Sequence, residues 1–128
     1  MRINDTFFTR DDGTPLFWLA DTAWNAALRA DEPAWHDYLS LRARQGFTVI
    51  QFVATQWRGC SVPLAGVTYS IEDSQLILNE AALAHLDRWI ALIRQYGMIP
   101  APVMFWSFDP TCPGRSLTVE HCIALGRH

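Results

Sequence analysis

The sequence predicts a single α/β domain, in which about three βα units follow an N-terminal β-hairpin and build a parallel sheet. Two observations carry this prediction. Short apolar or β-branched runs alternate along the chain with amphipathic segments of helical period, and this alternation is typical of parallel strands joined by right-handed crossovers. The chain has 128 residues, half of them hydrophobic, which suffices for one hydrophobic core.

The first element is a hairpin over residues 7–20. Its arms, FFTR and PLFWLA, flank the segment DDGT, and Asp-Gly between apolar runs is a strong local turn signal. Its second arm also supplies the first strand of the parallel sheet, over residues 16–20. A short helical patch, AWNAALRA, follows that strand.

The second unit consists of a helix over residues 33–45 and a strand over residues 47–53. Asp31 is placed to cap the helix, and Gly46 to end it. The strand segment FTVIQFVAT is nearly continuous in apolar and β-branched residues, as in strands that are buried on both faces. Residues 54–78 then show no clean period, and a loop of this length inside a domain is usually functional.

The third unit consists of a helix over residues 80–96 and a strand over residues 98–105. Asn79 is placed to cap that helix, whereas Pro100 and Pro102 make the strand irregular. A last helix is predicted over residues 118–127. A (β/α)₈ barrel needs about 250 residues. We therefore expect these βα units to be the first part of a larger domain.

Polar and aromatic side chains follow each predicted strand, where parallel α/β folds place their chemistry. These candidate binding residues are Asp21, Thr22 and Trp24 after the first strand, Gln51 and Trp57 within and after the second, and Trp106 and Asp109 after the third. Flat apolar rings beside hydrogen-bonding groups suit the C–H faces and hydroxyl edges of a sugar. We therefore predict a sugar-binding rim. Asp21 either contacts the ligand or caps the turn after its strand, and the sequence leaves both open.

Composition excludes several other functions. The net charge of −3 and the pI near 5.7 argue against nucleic acid or an anionic membrane as the main partner. All ten basic residues are arginine, which removes Schiff-base chemistry and the phosphate-loop lysine. We expect no cofactor, because no dinucleotide-binding glycine motif follows the first strand, and no metal, because the four histidines lack ligand spacing. No signal peptide is visible, so we expect a cytoplasmic protein.

Three segments together resemble the N-terminal part of the apiosidase-like glycoside hydrolases: DDGTPLFWLADTAW, YLSLRARQGFTVIQFVA and NEAALAHLDRWIALIRQYGMIPAPVMFW. The resemblance implies that residues 1–128 are the truncated N-terminal part of a catalytic domain with a (β/α)₈ TIM-barrel fold. It also implies hydrolysis of O-glycosidic bonds in side chains of plant-type polysaccharides, by retention or inversion. Asp21, Thr22 and Trp24 match the family's first-strand motif and are implied to form part of a subsite wall. Members of this family are often exported.

The resemblance places the catalytic carboxylates on later barrel strands, so no catalytic residue is assigned to this sequence. Two hypotheses follow. The chain is the N-terminal piece of a glycoside hydrolase and inactive by itself, or it is a non-catalytic carbohydrate-binding or assembly module that supplies a partial barrel. Because an incomplete barrel leaves an open sheet edge, we expect the chain to associate with the missing C-terminal half or with itself.

Overall fold

The described residues, which are 1–4, 6–106 and 117–127 of this computed structural model, form eight short strands and four helices. The strands are β1 (Arg2–Asn4), β2 (Phe7–Thr9), β3 (Pro15–Leu16), β4 (Ala20–Thr22), β5 (Val49–Val53), β6 (Tyr69–Glu72), β7 (Gln75–Leu78) and β8 (Ile99–Val103). The helices are α1 (Ala26–Arg29), α2 (Glu32–Arg44), α3 (Glu80–Gln95) and α4 (Val119–Arg127). The structure is thus of the mixed α/β class.

The sheet that positions the candidate site contains β4, β5 and β8 in that order, and both pairs of neighbours are parallel. Thr22, Gln51 and Ala101 lie at the same level of the three strands. This arrangement confirms the predicted parallel sheet of three adjacent strands. It also brings the carboxyl ends of the three strands to one edge.

The N-terminal hairpin is confirmed in part. β2 and β3 pair antiparallel around a turn that contains Gly13 at φ +84°, and β1 adds a third strand that the sequence analysis did not include. The predicted strand over residues 16–20 is wrong in position, because the parallel strand is Ala20–Thr22. The hydroxyl of Thr48 accepts a hydrogen bond from Leu19 N at 2.9 Å and donates one to Phe17 O at 2.5 Å. The Thr48 side chain thereby pairs with backbone N–H and C=O groups in the segment that joins the two sheets.

The two prolines of β8 are compatible with a sheet because of their register. Ile99 N donates to Thr48 O, and Ala54 N donates to Val103 O, so residues 99 and 103 face β5. Since successive residues of a strand direct their polar groups to opposite sides, Pro100 and Pro102 face the outer edge. A partner strand there would meet carbonyl acceptors at both positions but no N–H donors. The expected association through an open edge stays a prediction.

Helices α2 and α3 pack against one face of β5 and form the main hydrophobic core. Its largest members include Trp35, Leu39, Phe52, Trp89 and Ile93, all at most 1% exposed. Both predicted caps are present, since Asp31 Oδ1 accepts a hydrogen bond from Ala34 N at 2.9 Å and Asn79 Oδ1 accepts one from Ala82 N at 3.2 Å. Within the described ranges, no helix combines the length and apolar character needed to cross a membrane.

The segment 54–78, expected to be a loop, contains the antiparallel hairpin of β6 and β7. Its two-residue turn, Asp73-Ser74, has positive φ at both positions, 49° and 65°, as a type I′ turn requires. Neither turn residue is glycine, which is why the turn signal was weak. Buried Gln56 fastens the segment to the core, because its side chain accepts from Thr68 N at 2.9 Å and donates to Tyr69 O at 2.7 Å.

Candidate functional site

Three tryptophans that the sequence places after different strands lie together at the carboxyl edge of the parallel sheet. The rings of Trp24 and Trp57 are stacked, with centroids 6.1 Å apart and planes inclined by 24°. Trp106 meets Trp24 edge-on at 4.8 Å and 88°. We call Trp24, Trp57 and Trp106 the rim tryptophans. Beneath them lies a small buried cluster of Leu28, Val53 and Cys60, against which Trp57 and Trp106 pack.

The backbone of Trp24 is strained. Its φ of +41° lies in the left-handed region, which a bulky residue rarely adopts. Hydrogen bonds on either side of the residue hold it there, because Ala23 N donates to Gln51 O at 2.7 Å and Val53 N donates to Trp24 O at 3.0 Å. The side chain is nevertheless 45% exposed. Strained backbone conformations cluster at functional sites, where the surrounding structure maintains them. The exposed ring of Trp24 is therefore a candidate for ligand contact.

Trp57 is held by polar contacts on its edge and by a glycine on its face. Its indole N–H donates to Asn25 Oδ1 at 2.5 Å. Asn25 Nδ2 donates in turn to Gly59 O at 3.1 Å, and Arg29 Nη2 reaches the same carbonyl at 3.3 Å. A Cβ atom at Gly59 would stand 2.5 Å from the Trp57 ring, so any other residue there would displace the ring or the turn. Two backbone hydrogen bonds between Trp57 and Cys60 close this turn.

Thr22 and Gln51 form a polar pair on the neighbouring strands β4 and β5. The Thr22 hydroxyl donates to Gln51 Oε1 at 3.5 Å. Because side chains alternate along a strand, this pair lies on the face opposite to Ile50, whose side chain belongs to the core with α2 and α3. Hydroxyl and amide groups on that face can hydrogen-bond a polar ligand that reaches the rim tryptophans.

Asp21 lies on the helix-facing side of β4, level with Ile50. Its Oδ2 accepts hydrogen bonds from the Tyr38 hydroxyl at 2.7 Å and from Arg42 Nε at 2.5 Å, both on α2. Burial, together with the hydrogen bond to Asp21, raises the pKa of Tyr38 well above its usual range. The carboxylate therefore anchors β4 to α2, a role that neither of the two interpretations of Asp21 included. The structure does not bring Asp21 together with the rim tryptophans.

Asp109, the other predicted acid at the rim, lies outside the described residues. Sequence reasoning missed Asn25, Arg29 and Gly59. A faint signal was available for two of them, since Asn25 follows Trp24 directly and Gly59 is the second residue after Trp57. It could not identify the contacts, because Asn25 and Trp57 are 32 positions apart.

Comparison with known proteins agrees with the fold just described. Residues 3–125 match the family described as the apiosidase-like catalytic domain. The chain belongs to the apiosidase-like family. A search of curated proteins gives no match.

Two solved structures resemble the chain closely enough to show its fold. One is a glycoside hydrolase with a TM-score of 0.73 and 24% identity, and the match covers 94% of this chain and 28% of that one. The other is a glycoside hydrolase family 5 protein from Bacteroides vulgatus with a TM-score of 0.70 and 17% identity, covering 94% of this chain and 26% of that one. The chain thus spans less than a third of the length of each.

Proposed function

We propose that residues 1–128 form the N-terminal portion, about three of the eight βα units, of a glycoside hydrolase barrel. In this proposal the rim tryptophans, with Thr22 and Gln51, bind a sugar ring of a substrate that contains an O-glycosidic bond. Membership of the apiosidase-like family supports this assignment, as does the parallel order of β4, β5 and β8. One observation carries it: three tryptophans from three adjacent strand ends converge on one edge.

The geometry of the rim tryptophans suits a sugar. Trp24 is stacked on one ring and perpendicular to another, so the group presents apolar surfaces at right angles. Such surfaces contact the C–H faces of a pyranose or furanose, while the hydroxyl of Thr22 and the amide of Gln51 offer partners for the sugar hydroxyls. From the family resemblance we propose side chains of plant-type polysaccharides as the substrate class.

The described residues contribute binding rather than catalysis in this proposal. Hydrolysis of a glycosidic bond requires two carboxyl groups placed on either side of it. The Asp21 carboxylate pairs with Arg42 and Tyr38 on the helix-facing side of β4. We therefore assign the acid and the nucleophile or base to other parts of the catalytic domain.

The convergence of the three rim tryptophans also favours a second candidate function. This is a carbohydrate-binding or assembly module that supplies part of a barrel. Both proposals predict that the chain binds sugar. They differ in what happens when the remainder of an apiosidase-like catalytic domain is added in trans. Hydrolysis that appears on mixing supports the hydrolase assignment, and binding that stays without hydrolysis supports the module.

The binding proposal is tested by a matched pair of tryptophan variants. Trp24 and Trp18 are 45% and 43% exposed, but Trp18 packs on Phe8 in the N-terminal sheet. We expect Trp24→Ala to weaken the binding of plant-type oligosaccharides about tenfold, which corresponds to ~1.4 kcal/mol, and Trp18→Ala to leave it unchanged. Isothermal titration calorimetry measures both. Equal effects of the two variants, or no sugar bound by the wild type, would overturn the proposal.

A further inference from the structure

We propose that Asn25 is a positioning residue that fixes the Trp57 ring beside Trp24 before any ligand arrives. The consequence for sugar affinity rests on the proposed function, whereas the positioning itself does not. Asn25 follows Trp24 directly in sequence, at the start of α1, and its side chain reaches across to the segment after β5. One short side chain thereby joins the strand end that carries Trp24 to the turn that carries Trp57.

Both halves of the Asn25 amide are used for this purpose. Oδ1 accepts the indole N–H of Trp57 at 2.5 Å, and Nδ2 donates to the carbonyl of Gly59 at 3.1 Å. Gly59 lies on the face of the same ring, with the position of its absent Cβ 2.5 Å from the ring. Asn25 therefore holds the ring by its edge and also holds the backbone that covers its face.

A comparison with the buried tryptophans shows why Trp57 needs such a contact. The indole nitrogens of Trp35 and Trp89 have no hydrogen-bond partner among the described residues. Those rings are fully enclosed by the core, so packing alone fixes them. Trp57 is only partly buried, and a ring at the surface retains rotamer freedom unless a directional bond removes it. Fixing the ring in advance lowers the entropic cost of binding a ligand on it.

The proposal is tested on the full 128-residue chain by two spectroscopic measurements that need no sugar. Hydrogen exchange of the Trp57 indole N–H, assigned with Trp57→Phe, reports the bond to Asn25. The part of the tryptophan circular dichroism couplet that is lost in Trp57→Phe reports the mutual geometry of the stacked Trp24–Trp57 pair, because the stacked core pair of Trp35 and Trp89 contributes a couplet of its own. We call this part the couplet. We expect Asn25→Ala to accelerate the exchange about tenfold and to diminish the couplet. Asn25→Asp keeps an oxygen acceptor for the indole but loses the donor to the Gly59 carbonyl, so it should retain only part of the protection.

Two further variants separate positioning from general destabilisation. Gly59→Ala leaves Asn25 in place but drives a methyl group into the Trp57 ring, so it should also diminish the couplet. Asn79→Ala removes an asparagine that caps α3 away from these rings and should leave both signals intact. Calorimetry should then show weaker sugar binding for Asn25→Ala and Gly59→Ala only.

Unchanged exchange and an unchanged couplet in Asn25→Ala would overturn the proposal, whatever the effect of Gly59→Ala. Loss of both signals in Asn79→Ala as well would overturn it too, because the effect would then be one of stability. If the wild type binds no sugar, the proposed function fails. The exchange rate and the couplet still decide in that case whether Asn25 positions Trp57.

Discussion

The molecule contains two groups of stacked tryptophans, and they are held in different ways. Trp35 and Trp89 stack at 6.0 Å inside the core, where both are at most 1% exposed. Trp24 and Trp57 stack at a nearly equal 6.1 Å at the rim, where Trp24 is 45% exposed. Similar ring spacing therefore arises from enclosure in one region and from polar contacts in the other.

The difference teaches which features distinguish the proposed binding surface from a core. The core pair comes from two helices with regular backbone and needs no hydrogen bond to its indole nitrogens among the described residues. The rim pair instead requires a positive φ at Trp24, a glycine at position 59 and the amide of Asn25. Burial of apolar surface alone does not require these features. They are typical of sites that are preorganised for a ligand.

The largest effect that we expect from this comparison concerns stability. Trp35→Ala removes a fully enclosed ring and leaves a cavity between α2, α3 and β5, so it should cost ~3–5 kcal/mol of the free energy of unfolding. Trp24→Ala should cost less than ~1 kcal/mol, because half-exposed residues contribute little to the core. Urea denaturation of both variants measures the difference. Similar losses would show that the rim tryptophans are simply a second core.

A smaller effect is expected at the anchor between β4 and α2. Tyr38→Phe removes the hydroxyl that donates to Asp21 at 2.7 Å, and the loss of this bond should lower the free energy of unfolding by ~1 kcal/mol. The couplet of the rim tryptophans should not change, because Asp21 faces the helices. A variant that loses the couplet would place Asp21 in the rim after all.

The same tyrosine gives the anchor a pH dependence. The pKa of Tyr38 is raised in the folded chain by burial and by Asp21, whereas its ordinary value is 10.0. Its contribution to stability is therefore complete below pH 10.0 and is lost as the pH rises above that value. Tyr38→Phe should make alkaline unfolding less steep. An identical alkaline profile in wild type and variant would contradict the assignment.

The sequence predicted the elements of this fold better than their ends. The helices α2 and α3 have clear periods and capping residues, and their predicted positions agree with the structure to within one residue. The first strand was misplaced because the run PLFWLA serves two sheets and is uninterrupted in hydrophobicity. At the site, the positions of three tryptophans after parallel strands were enough to predict that their rings meet at one edge. The Asn25 contacts and the φ of Trp24 depend on residues far away in sequence, which no local pattern records.

A further prediction concerns the backbone of Trp24 and is again near 1 kcal/mol. Glycine adopts a φ of +41° without the steric cost that an L-residue with a side chain bears. Trp24→Gly should therefore be more stable than Trp24→Ala by ~1 kcal/mol or less. Both variants lack the ring, so both should bind sugar equally weakly. A Trp24→Gly protein less stable than Trp24→Ala would mean that the strand end carries no strain.

The smallest effect that we expect is none at all: the 128-residue chain should not hydrolyse a glycosidic bond. Cleavage needs one carboxyl group to protonate the leaving oxygen and a second to attack or to activate water. The rim described here consists of rings, a hydroxyl and an amide, and the carboxylate of Asp21 is bound to Arg42 and Tyr38 on the opposite face of β4. Release of an aryl group from a panel of aryl glycosides, the apioside included, measures the activity. Turnover above background that disappears in Asp21→Asn but persists in Tyr38→Phe would contradict us, because loss of the anchor alone would then not explain the result. Turnover that appears only when the rest of an apiosidase-like catalytic domain is supplied would instead fit a rim that binds the sugar while other strands provide the acids.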